Sequence, residues 1–150
     1  MSSRRDILVL GYGNELRGDD AAGPRVVASL EESNPDACQT LVRHQLTPEL
    51  AETISTMRGV IFVDAAVGCS RLNARPLHPG NHVPMWDHRC GPADLLALSQ
   101  QLFGRCPAAW QVDIPAEQFE FGADLSPTTA AAVPPACREV LSLCANLARP

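Results

Sequence analysis

Apolar and polar positions fall in blocks along this chain, and the blocks predict alternating strands and helices. Ile7-Leu8-Val9-Leu10 is a run of branched apolar residues that reads as a buried first strand. The glycine-rich stretch Gly11 to Gly23 follows it, and Val26, Val27 and Leu30 then recur at helical spacing from about Asp20 to Glu32. Asn34-Pro35-Asp36 breaks that helix, and Thr40-Leu41-Val42 forms a short second strand leading to His44. Thr47-Pro48-Glu49 has the composition of a helix start, with Thr47 as N-cap; Leu50, Ile54 and Met57 supply the stripe and Gly59 the stop. Val60-Ile61-Phe62-Val63 is the strongest strand, buried on both faces by its composition and ending on Asp64.

The pattern weakens between Ala65 and Asp87, where Gly68, Pro76, Pro79, Gly80 and Pro84 leave room only for a strand over Ala74 to His78 near a sheet edge. It returns at Leu95, Leu96, Leu98, Leu102 and Phe103, a helix that stops at Gly104. Ala108 to Ile114 reads as a strand with Trp110 and Val112 on one face, and Pro115 to Leu125 as a connector. Ser126-Pro127 caps a last helical region carrying Val133, Val140, Leu141, Leu143 and Leu147, which Pro134-Pro135 is expected to kink or divide. Strands alternating with helices imply a three-layer α/β sandwich, with helices on both faces of the sheet.

Size and composition make this a single domain over residues 1–150. A chain of this length buries roughly 68–70% of its unfolded surface without needing metal or disulfide staples. Hydrophobic residues make up 45% and charged residues 19%, so disorder is excluded. The net charge of -5, with Arg as the only strong base, argues against a nucleic-acid or anionic-membrane surface and favours a protein or small-molecule partner. No segment is long enough to span a bilayer, and the apolar run after Asp6 is too short for a secretory signal. The six cysteines lie far apart and form no C-x-x-C pair, as expected of a cytoplasmic chain with reduced thiols.

Gly11 to Gly23 superficially resembles the dinucleotide fingerprint G-x-G-x-x-G, but Leu16 stands at the third glycine. The acids Asp19 and Asp20 would also repel a pyrophosphate at the helix start. The alternatives for these acids are helix capping and chemistry, and one can cap while the other is free. Asp64 sits at the same sheet edge if the first and middle strands are parallel, the edge at which open α/β sheets bind ligands. His88 precedes a Gly-Pro and a helix, on a loop that can cross that edge; His44, His78 and His82 have equal standing by composition. Two carboxylates and an imidazole make an O,O,N set suited to a borderline divalent ion such as nickel or zinc, with positions left open. No G-x-S-x-G elbow or H-E-x-x-H motif occurs, and Cys90 is most simply a packed loop thiol.

These residues carry a resemblance. I-L-V-L-G-Y-G-N-E-L-R-G-D-D-A-A-G-P, I-F-V-D-A-A, H-R-C-G-P-A-D-L-L and D-L-S-P-T-T-A-A-A-V-P occur in order over nearly the whole chain. Together they resemble the hydrogenase maturation endopeptidases, which remove a C-terminal extension from the large subunit of NiFe hydrogenases. The resemblance implies a twisted five-stranded, mostly parallel sheet. It implies Asp20, Asp64 and His88 as metal-binding residues, Asp20 standing where relatives often carry Glu. It further implies that the metal is nickel already installed in the precursor, read as a recognition element and not kept as a resident cofactor. An incomplete ligand set of this kind binds an ion well only when the substrate supplies the rest. Asp20 or Asp64 can also serve as general base, and the nucleophile is not identified. The alternative is a non-proteolytic maturation chaperone that binds the nickel-loaded large subunit.

Overall fold

The computed structural model describes residues 4–80 and 90–149. Five strands form one sheet in the order β2-β1-β3-β5-β4, with β1 at Ile7–Tyr12, β2 at Gln39–Arg43, β3 at Gly59–Val67, β4 at Asn73–Leu77 and β5 at Ala108–Ala116. Every pairing is parallel except β4 with β5. The proline-bearing β4 lies at the edge, where Pro76 leaves no central ladder bond unmade. The expected mostly parallel sheet is therefore present.

Among the described residues, four α-helices cover it: α1 at Ala22–Ser33, α2 at Leu50–Ser55, α3 at Pro92–Phe103 and α4 at Pro127–Leu147. Alternate strand residues point to opposite faces, and two apolar clusters result. Ile7, Val9, Ile61, Val63, Val112 and Ile114 pack with α1 and α4; Leu8, Leu10, Val60, Phe62 and Ala109 pack with α2 and α3. Each of these strand residues is 95% or more buried. The sheet is thus the middle of three layers.

Several local expectations need correction. A 3-10 turn over Gly18–Ala21 takes up Asp19 and Asp20, so α1 starts only at Ala22. Thr47 does not cap α2: the carbonyls of Thr47 and Pro48 accept the N–H groups of Leu50 and Ala51 in a preceding turn, and the helix runs only to Ser55. Gly59 opens β3 and is not a helix stop. Asp64 does not end β3, which continues against β5 to the Val67↔Ala116 pair. Pro115 accordingly belongs to β5 and not to a connector. Pro134-Pro135 does not divide α4. The carbonyls that lose their i+4 donors there belong to Ala130 and Ala131, both exposed residues on the solvent side of the helix.

Candidate functional site

The sheet order places a topological switch point between β1 and β3: the chain leaves β1 toward β2 on one side and returns to β3 on the other. Crevices at such points, outside the carboxyl ends of the strands, are the ligand sites of open α/β sheets. Here the crevice is a cleft of about 440 Å³ lined by Tyr12, Gly13, Asp20, His44, Asp64 and Asp94, among others.

Two glycines build its near wall. Gly11 lies inside β1, where a Cβ would meet the Gly23 carbonyl oxygen at 2.6 Å, so its missing side chain lets α1 approach the strand. Gly13 makes the bend: its φ is 144°, and a Cβ would collide with the carbonyl oxygen of Asp20. The Gly13 N–H donates to the Arg43 carbonyl at 3.0 Å, which ties the bend to the end of β2.

The paired acids at the end of the loop have separate fates. Asp19 is fully buried and turned away from the cleft. It accepts the N–H groups of Glu117, Gln118 and Ser126 at 2.8, 2.9 and 2.7 Å, and the Ser126 hydroxyl at 2.8 Å. Burial alone would raise its carboxyl, but these four donors outweigh it and hold the group at about 2. Asp20 is half-buried, lines the cleft and, among the described residues, accepts the Asn14 N–H at 2.7 Å. Asp19 is thus a structural clamp, and Asp20 is the acid of the pair that faces the cleft.

Asp64 faces Asp20 from the other side of the switch point. β1 leaves the ladder at the Gly11↔Val63 pair while β3 runs on, so Asp64 stands beside the opening. Burial pushes its carboxyl up to about 7; the negative charges of Asp20 and Asp113 add to this, while the Ala65 N–H and the Tyr12 hydroxyl oppose it. The Tyr12 hydroxyl is itself driven above its ordinary range by burial and by the charge of Asp64, to which it donates. Asp94 is engaged at the start of α3, accepting the Gly91 N–H at 2.8 Å.

Asp20 and Asp64 are therefore brought to one cleft. His88 lies outside the described residues, as does His82. His44, which composition did not distinguish from His88, lines the cleft. Among the described residues, no three of His, Cys, Asp or Glu are grouped so as to hold a metal ion. The two carboxylates are hard oxygen donors that suit a divalent ion but leave most of its coordination positions open. Cys90 also lines the cleft, but burial, with Asp94 and Glu49 nearby, raises its thiol to about 11, which disfavours the thiolate a nucleophile needs.

Sequence reasoning passed over Tyr12, Gln111, Asp113 and Arg75. They line a second hollow of about 330 Å³ that shares Tyr12, Asp64, Gly91, Pro92 and Asp94 with the first. The signal was present in the strand alternation. On the α2/α3 face, Leu8-Leu10-Tyr12, Val60-Phe62-Asp64 and Ala109-Gln111-Asp113 each turn from apolar to polar toward the carboxyl end.

No protein-family model matches the chain. The hydrogenase 2 maturation protease of Escherichia coli strain K12 is 32% identical to it over 152 aligned residues, covering 91% of this chain and 88% of that protein. Among solved structures, the hydrogenase maturating endopeptidase HybD from E. coli superposes with a TM-score of 0.76 at 28% identity, covering 93% of this chain and 92% of its own. A second endopeptidase from E. coli, solved in solution, gives a TM-score of 0.71 at 30% identity, with coverages of 91% and 90%.

Proposed function

The chain belongs to the hydrogenase maturation proteases, and from that premise we propose that it removes the C-terminal extension of a NiFe hydrogenase large-subunit precursor after nickel insertion. The observation that carries the reading is the convergence of Asp20 and Asp64 on one cleft at the switch point of the sheet. In this reading the nickel arrives as part of the substrate, and Asp20, Asp64 and His88 complete its coordination. Cleavage is then licensed only in a precursor whose metal is in place. The reaction belongs to the cytoplasm, where the six free cysteines would remain reduced; no helix among the described residues is long and apolar enough to cross a membrane.

Bound between the two proteins, nickel would supply Lewis acidity near the scissile carbonyl. The residues of this chain do the rest. Tyr12 aims Asp64 through its hydroxyl, and the Asn14 N–H fixes Asp20. Asp64, raised to about 7, gives up a proton when it meets a cation and can hold one near neutral pH.

The test is intact-mass analysis of a nickel-loaded precursor incubated with wild-type protein and with Asp20→Ala or Asp64→Asn. Loss of a defined C-terminal peptide with the wild type, and at least a hundredfold slower loss with either variant, is expected. Truncation at the wild-type rate by both variants would remove the carboxylates from the mechanism.

A further inference from the structure

The second hollow contains a polar atom that has no partner among the described residues. Gln111 is 3% exposed in the middle of β5, with Phe62 of β3 and Arg75 of β4 as its register neighbours. Its amide group is hydrogen-bonded to the Tyr12 hydroxyl, which accepts from Gln111 and donates to Asp64. Its carbonyl oxygen, Oε1, is buried and has no hydrogen-bond partner among the described residues. Buried polar atoms are nearly always paired, and an orphaned one in a native fold needs a reason. Gln111 lines the hollow of about 330 Å³ that opens beside Asp64, so a ligand there would meet that oxygen.

The other polar groups of the hollow narrow what the ligand brings. Two charged side chains of the hollow are already engaged: Arg75 Nε is 3.4 Å from Asp113 Oδ2, and the Asp94 carboxylate accepts from Gly91. What the oxygen can take is a hydrogen-bond donor. Asp64 pairs with Asp113, and Gln111 and Arg75 lie two positions earlier on their own row, just inside the sheet end; neighbouring strands lie roughly 4.8 Å apart, so the four strands from β1 to β4 span about 14 Å, the reach of about four residues of extended chain. A peptide crossing the sheet end brings backbone N–H groups as its regular donors.

We propose that Gln111 positions the substrate: its Oε1 accepts a backbone N–H of the precursor segment that crosses the second hollow beside Asp64. The inference rests on the endopeptidase reading for the identity of the chain that crosses. Gln111 then has two contacts with different ends, its amide holding Tyr12 on Asp64 and its oxygen registering the substrate relative to that carboxylate.

The experiment measures binding of nickel-loaded full-length precursor to immobilised protein, together with KM and kcat for truncation followed by mass. Gln111→Met, close in volume but without the acceptor, is expected to weaken precursor binding and raise KM by about three- to tenfold, the worth of one neutral hydrogen bond. Gln111→Met also removes the amide that donates to Tyr12, so kcat falls with it and the binding measurement is the readout that scores Oε1. Gln111→Glu keeps an acceptor oxygen at the same reach and is expected to recover most of the lost affinity. Wild-type affinity in Gln111→Met overturns the proposal, and so does a Gln111→Glu variant no better than Gln111→Met. Binding without truncation by wild-type protein would count against the endopeptidase reading alone, because the affinity series still scores Gln111; absence of wild-type binding overturns both.

Discussion

The Asp19 carboxylate accepts both the backbone N–H and the hydroxyl of Ser126, at 2.7 and 2.8 Å, and so ties the loop after β1 to the cap of α4 across 107 positions of sequence. Ser126 in turn receives the Thr129 N–H of the first turn of α4 at 3.3 Å. Removing the carboxylate would leave buried donors unpaired, each at a cost of about 1–3 kcal/mol. Asp19→Ala is therefore expected to lower the melting temperature by roughly 6–12 °C, the equivalent of about 3 kcal/mol in a domain this size. Asp20→Ala, which loses one hydrogen bond at the cleft, should cost about 1 kcal/mol or less. Thermal melts of the two variants side by side check the division of labour between adjacent acids; equal losses would contradict it.

The same clamp sets an acid limit. Asp19 is held at about 2 against an ordinary value of 3.8, so the folded state prefers the ionised form. Its contribution, about 2 kcal/mol, is fully present above pH 3.8 and is lost as pH falls from there toward 2. Urea unfolding between pH 2 and 5 should show this slope in the wild type and a shallower one in Asp19→Ala.

Asp64 has the opposite sign. Its folded value of about 7 exceeds the ordinary 3.8, so stability is lost as pH rises through that window, and the full penalty is borne above pH 7. Asp64→Asn should then be more stable than the wild type at pH 8, by about 2 kcal/mol once water in the open cleft is allowed for. The gain should vanish near pH 4. A stabilised but inactive variant is the behaviour expected of a group whose placement serves function over stability.

Most of the scaffold could be read from the sequence because its signals are local. The apolar runs at Ile7 and Val60, Ser126 as a cap and Gly104 as a stop are each decided within a few residues, and each holds in the structure. Errors arose where distant partners decide. Asp64 looked like a strand end because polarity usually marks one, but β5 carries the ladder on to Val67. Asp19 could not be told from Asp20, since the donors that claim it come from residues 117, 118 and 126. Gln111 was hidden for a similar reason: its meaning comes from Tyr12 and Asp64 on strands elsewhere in the chain.

The bend at Gly13 can be tested apart from the acids. With φ at 144° and the Asp20 carbonyl in the way of a Cβ, Gly13→Ala must move the loop that presents Asp20. It should cost about 2 kcal/mol or more and slow processing even at temperatures where the variant stays folded. Circular dichroism and truncation rates measured on one preparation check both parts.

In the proposed function, the carboxylates of the cleft read nickel without completing a site by themselves. That role is tested most directly by presenting the same large-subunit precursor in nickel-loaded and nickel-free form and following the C-terminal mass over time. Rapid truncation of the loaded form and negligible truncation of the metal-free form are expected, with the distinction lost in Asp20→Ala, Asp64→Asn and His88→Ala because none of these cuts either. Equal processing of both forms by the wild-type protein would contradict it.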